Sequence, residues 1–134
     1  MLAILAVVLS GAAGVAPSPM SSPDDCAIAV EIGKAELGWG AAPPKPAYFP
    51  DPDPGGYQLR CNWRALGVAP PAIGTERSPS GFSLSAPAYD VLHTHATVEL
   101  SRFMRPSFAQ IEECKLEKRG VRWKLLVCRT KVIT

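Results

Sequence analysis

The hydrophobic positions change their spacing along the chain, and each change marks a segment of a different kind. Leu2 to Leu9 is uninterrupted apolar sequence. Ser10 to Ala16 then turns to small residues, Pro17 and Pro19 follow, and no charged side chain occurs before Asp24. A short greasy stretch followed by small residues and helix breakers is what a signal peptidase accepts, so residues 1–16 read as a signal peptide. Ala12-Ala13-Gly14 and Gly14-Val15-Ala16 both carry the small-x-small pattern, and Pro17 directly behind the second favours the first. The one departure from the usual leader is that no Lys or Arg precedes the apolar run. Read instead as a membrane anchor, the run ends short of the ~20 residues a spanning helix needs.

Beyond the leader, residues 17–134 read as a single domain. Ser22-Pro23-Asp24-Asp25 is a helix start: Ser22 caps, Pro23 suits the first turn, and the two acids complement the helix dipole. Cys26, Val30, Gly33 and Leu37 fall on one stripe with Ile28 and Ile32 beside it, which predicts a helix ending at Gly38. Ile28, Val30 and Ile32 also alternate, as a strand would. Six prolines between Gly38 and Gly56 forbid helix and most sheet, so 38–56 is a Pro-rich loop pinned by Trp39, Tyr48 and Phe49. Tyr57 to Cys61 suits a short strand, and Asn62 to Gly67 a capped helical turn. From Phe82 onward period-two alternation takes over. Strands are expected at 82–89 (an edge, because of Pro87), 95–103, 107–118 and 122–133, the last two closing as a hairpin around Arg119-Gly120. The fold class is therefore α+β: one N-terminal helix on a four- or five-stranded antiparallel meander.

Export changes the meaning of the four cysteines, Cys26, Cys61, Cys114 and Cys128. An even number in an oxidising compartment reads as disulfides, and no Cys-x-x-Cys knuckle is present to suggest zinc. In the closing hairpin, setting Cys114 opposite Cys128 also sets Leu116 opposite Leu126 and Glu113 opposite Arg129. A shift of two residues would place Leu116 against Lys124. The preferred pairing is thus Cys114–Cys128 with Cys26–Cys61, in a disulfide-stapled domain.

The order of these elements resembles the cystatin-like and nuclear-transport-factor-like rolls. Cys61-Asn62-Trp63, Leu66-Gly67, Gly120 to Trp123, Cys128 and Ile133-Thr134 together resemble small exported bacterial proteins of unknown function. That resemblance implies a periplasmic or secreted location and carries no activity.

Two constellations bear on chemistry. His93, His95 and Glu99 share parity in Leu92-His93-Thr94-His95-Ala96-Thr97-Val98-Glu99, and on one continuous strand they would form a metal- or ligand-binding set on one face of a roll. The spacing is similar to the first metal motif of cupins, without its glycines and without a third histidine. The plainer alternative puts His93 in a turn after Asp90, with His95 and Glu99 on a solvated face, and on that reading no cofactor or metal is needed. The second constellation is electrostatic. From Leu100 onward nine Lys or Arg stand against Glu112, Glu113 and Glu117. Lys118, Arg119, Arg122 and Lys124 crowd the hairpin tip around Trp123, a composition able to bind a polyanion; otherwise it is a charged hairpin that resists edge pairing. No specific nucleic-acid motif, phosphate loop or serine-hydrolase elbow occurs. The sequence therefore favours a non-enzymatic exported protein, a binding module or envelope accessory factor. Its partner would be an envelope protein or an anionic polymer; the alternatives are the His93/His95/Glu99 roll and a polyanion binder working through the basic C-terminal hairpin.

Overall fold

The computed structural model of the protein describes residues 20–39, 48–49, 57, 59–68, 72–73, 80–104 and 108–133. Residues 1–16, read above as a signal peptide, and most of the Pro-rich 38–56 segment lie outside them.

One helix, α1 (Pro23–Glu36), forms where the capping residues place it. Ser22 Oγ accepts the Asp25 N–H at 3.1 Å, Pro23 opens the first turn, and Asp24 and Asp25 sit at the positive end of the dipole. Gly38, with φ +74°, takes the left-handed conformation past the last turn, and the Trp39 N–H returns to the Gly33 carbonyl at 3.1 Å. The Trp39 indole lies directly on Gly33, where a Cβ would meet the ring at 2.0 Å. The strand alternative for this segment does not occur, because its burial is helical: Ile28, Ala29, Ile32 and Gly33 form one continuous buried face.

The sheet contains β3 (Ser80–Leu84), β4 (Ala88–Tyr89), β5 (His95–Met104), β6 (Phe108–Arg119) and β7 (Arg122–Ile133), all antiparallel, in the order β3-β5-β6-β7 with β4 also on β5. β3 and β4 are the two halves of the expected edge strand, interrupted at 85–87. Pro87 lacks an N–H, and at the break the Ser85 hydroxyl accepts the Glu99 N–H at 2.8 Å. A separate parallel pair, β1 (Tyr48–Phe49) with β2 (Ala72–Ile73), places two residues of the expected Pro-rich loop in a strand. Tyr57 to Cys61, read as a short strand, forms none at its described residues. Asn62 to Gly67 is the capped turn expected: Asn62 Oδ1 accepts the Ala65 N–H at 3.4 Å, and Gly67 at φ +78° lets the Val68 N–H reach the Trp63 carbonyl.

Even-numbered residues of β5 and β6 face the helix. Ala96, Val98, Leu100, Cys114 and Leu116 meet Ile28 and Ile32 there, all nearly fully buried. Leu59, Trp63 and Leu66 pack against the same core, and the Cys26–Cys61 disulfide ties their segment to α1 at a Cα separation of 5.8 Å. Arg102 ties sheet to helix, donating to Glu112 at 2.7 Å and to Glu36 at 2.9 Å, which leaves the buried Glu112 carboxylate compensated.

The closing hairpin carries the second disulfide, Cys114–Cys128, in the expected register, with Glu113 opposite Arg129. Leu116 faces Leu125, however, and not Leu126. The turn is the reason. Arg119 pairs directly with Arg122, so only Gly120 and Val121 form the loop; Gly120 has φ +62° and Val121 does not, the pattern of a type II′ turn. Between that turn and the disulfide β7 has one residue more than β6. The surplus leaves the ladder as a bulge at Leu126, which is 46% exposed. A second bulge at Lys131 sits between the pairs Glu112–Thr130 and Ile111–Val132.

Candidate functional site

One end of the sheet gathers three things: the N-terminus of α1, the turn from Asp90 to Thr94, and the β6–β7 turn. The Lys118 N–H donates to the Thr94 carbonyl at 2.8 Å, joining the two turns side by side. Asp90 organises the first of them by accepting the Thr94 and His95 N–H groups at 2.7 and 3.0 Å, which holds its carboxyl well below the usual range. His93 is left in the left-handed region at φ +59°, stacked on Tyr89 with ring centroids 3.9 Å apart. β5 begins only at His95, so the continuous strand that would align His93 with His95 and Glu99 is broken at the turn.

Beneath the turn the two helix acids are shared among side chains from distant parts of the chain. Asp24 accepts the Trp123 Nε1–H at 3.0 Å on one oxygen and meets His93 Nε2 at 2.9 Å on the other, with Lys118 Nζ at 3.6 Å. The Trp123 hydrogen bond, helped by His93 and Lys118, holds the Asp24 carboxyl below its ordinary value. Asp25 accepts hydrogen bonds from Tyr57 at 2.9 Å and from Tyr89. Burial, and then the bond to Asp25, pushes both phenols well above the usual tyrosine range. The sequence marked Asp24 and Asp25 only as helix-start acids. Nothing local connects Asp24 to partners 69 and 99 residues away, or Asp25 to partners 32 and 64 away. Beside Asp25, where the edge strand breaks at Ser85 and Pro87, an open crevice of about 190 Å³ is lined mainly by Ile28, Ile32, Leu84 and Val98. Most of that is open solvent: the enclosed space is about 10 Å³, room for no more than a single water.

The metal candidates are each engaged elsewhere. His93 bonds Asp24, His95 lies 3.1 Å from Asp90 and 3.5 Å from Glu117, and Glu99 takes Lys131 Nζ at 2.9 Å. Among the described residues no group of three or more His, Cys, Asp or Glu is placed to hold a metal ion.

The basic candidates divide between two surfaces. Trp123 is 3% exposed and faces the helix, so it is no stacking platform for a ligand, and Lys118 turns the same way, toward Asp24 and 5.8 Å from the Trp123 ring centre. Alternation along the strand is the cause: both are core-side positions, and they form a cross-strand pair. Arg119, Arg122 and Lys124 are exposed. The outer sheet face they share shows two cross-strand pairs of like charge. Glu99 stands opposite Glu113, and Lys131 bridges them at 2.9 and 3.8 Å. Arg119 stands opposite Arg122 beside the turn. There Glu117 engages Arg119 at 2.8 Å and stands opposite Lys124 in the ladder, while neither Arg122 nor Lys124 makes an ion pair among the described residues. Like charges directly opposite each other oppose pairing; the acidic pair carries its counterion within the fold, and the arginine pair is only half neutralised.

No helix among the described residues is long and apolar enough to cross a membrane. Compared with known proteins, the chain matches no family model, no curated protein and no solved structure.

Proposed function

We propose that this is an exported, non-enzymatic binding protein whose contact surface is the exposed end of the basic hairpin, Arg119, Arg122 and Lys124, and whose ligand is anionic. The observation that carries the reading is the arginine pair at the turn. Guanidinium groups fork around phosphate, sulfate or carboxylate oxygens, and an anion between Arg119 and Arg122 would do there what Lys131 does between Glu99 and Glu113. Two disulfides fit an oxidising compartment, consistent with the leader-like sequence before residue 17. The non-enzymatic half rests on how the acids, imidazoles and phenols at this end are used: they are bonded to one another, tying helix to sheet.

Retention on immobilised heparin tests the reading. The folded protein should bind at low salt and elute as exposed charges are screened. Arg119→Ser/Arg122→Ser should elute at clearly lower salt than Arg60→Ser/Arg64→Ser, which removes the same charge from an exposed stretch elsewhere. Equal behaviour of the two variants would reduce the binding to net charge and overturn the assignment of the hairpin.

A further inference from the structure

We infer that the anionic ligand is a phospholipid surface, entered by the tips of the two adjacent turns. The inference rests on the anionic reading of the hairpin and adds an apolar component to it. Val91 and Leu92 on the first turn are 101% and 79% exposed, and Val121 on the second is 89% exposed. Single exposed apolar side chains are commonplace. Here three, the most exposed large apolar side chains among the described residues, occupy two turns that are hydrogen-bonded neighbours at one end of the sheet.

Turn chemistry does not account for them. The left-handed position of the β6–β7 turn belongs to Gly120, and the residue after it is ordinarily polar. The first turn is organised by Asp90 and His93, not by Val91 or Leu92. An anionic polymer in water offers nothing to these side chains, whereas a bilayer offers phosphates to the cations and an acyl boundary to the tips.

Charge placement agrees. Val121 is flanked in sequence by Gly120 and Arg122, with Arg119 paired to Arg122 across the hairpin and Lys124 three residues on. All four acids of this end, Asp24, Asp25, Asp90 and Glu117, have hydrogen-bond or ion-pair partners within the fold. Arg122 and Lys124 therefore stay available to headgroups, the arrangement in which basic residues and a few inserted side chains add to reversible binding. A second copy of the chain is the poorer occupant, because β7 from Arg122 to Ile133 carries Arg122, Lys124, Arg129 and Lys131 and no acid, so copies paired along it would set cations against cations.

Vesicle sedimentation decides the matter. The wild-type chain should pellet with vesicles of phosphatidylglycerol and phosphatidylcholine and stay in solution with phosphatidylcholine alone. Val91→Ser/Leu92→Ser/Val121→Ser should lose about tenfold or more in partitioning, since each side chain withdrawn from an apolar contact weakens binding severalfold, while its salt of elution from heparin stays at the wild-type value. Val121→Trp supplies a second readout: its emission should shift to the blue on anionic vesicles and be quenched by brominated acyl chains. Partitioning of the triple variant equal to wild type, or bound Val121→Trp without a blue shift, would overturn insertion. Heparin binding through the hairpin without vesicle binding would end the lipid inference and leave the anionic reading standing; loss of both in the wild-type chain would end both.

Discussion

A single missing side chain shapes the C-terminal end of α1. Gly33 has no Cβ, and the Trp39 ring fills that space, with Trp63 edge-on at 5.3 Å and Phe82 at 5.8 Å. In an ordinary exposed helix Gly→Ala stabilises by about 1 kcal/mol. Here the contact reverses the sign, and Gly33→Ala should cost about 1–3 kcal/mol by overpacking, read as a lower urea midpoint. At the other end of the helix the relevant residue is Asp24. Its folded-state pKa lies below the unfolded value of about 3.9, so the stability it contributes is present above that value and is lost as pH falls through the folded one. Asp24→Asn should therefore weaken the protein at neutral pH and flatten its stability profile below about pH 4. Tyr57 and Tyr89 act on the alkaline side. Their raised pKa values mean that the stability they contribute is present up to about pH 10 and is lost above it. Absorbance at alkaline pH should show both phenols ionising together with unfolding.

At the scale of elements, the closing hairpin shows how far residue order can be read. Cross-strand chemistry reached the Cys114–Cys128 register with Glu113 opposite Arg129, although the pair used to tell registers apart, Leu116 with Leu126, does not form. It misplaced the leucines because a two-residue turn and a disulfide fix the two ends of the ladder independently, and the surplus residue must leave it. The Gly120-Val121 turn was the missing constraint. Deleting Leu126 should remove the bulge while preserving both the turn and the disulfide. That variant should still oxidise and should stay within about 1 kcal/mol of the parent, the loss of one half-exposed leucine being small. Deleting Leu125, which packs against the core, would restore the ladder only by moving Leu126 inward. A large loss on deleting Leu126 would show that the bulge is structurally required. Along β5 the sequence offered two readings, and the turn after Asp90 is the one that occurs: the parity of His93, His95 and Glu99 holds only if the backbone stays extended, and the turn runs to Thr94, leaving His93 outside the strand. The aromatic and acidic cluster at the helix start was invisible in the linear order, since Tyr57, the Tyr89/His93 pair and Trp123 come from three separate places in the chain.

For the whole molecule, the two disulfides divide the labour. Cys26–Cys61 joins helix to overlying segment across 35 residues, and Cys114–Cys128 closes 14 within the hairpin. In the chain-entropy picture these are worth about 4 and about 3 kcal/mol respectively. Paired replacement by serine should lower the urea midpoint in that order. The difference in loop length also sets a sequence in time. The hairpin turns within two residues and has its thiols close together along the chain, so it assembles by the fast, local route. The helix must await strands whose anchoring residues, His93 and Trp123, lie 69 and 99 positions beyond its own acids. During oxidative refolding from the reduced chain, the one-disulfide species trapped early should therefore carry Cys114–Cys128, and Cys26–Cys61 should close last, as the helix docks onto a sheet already formed.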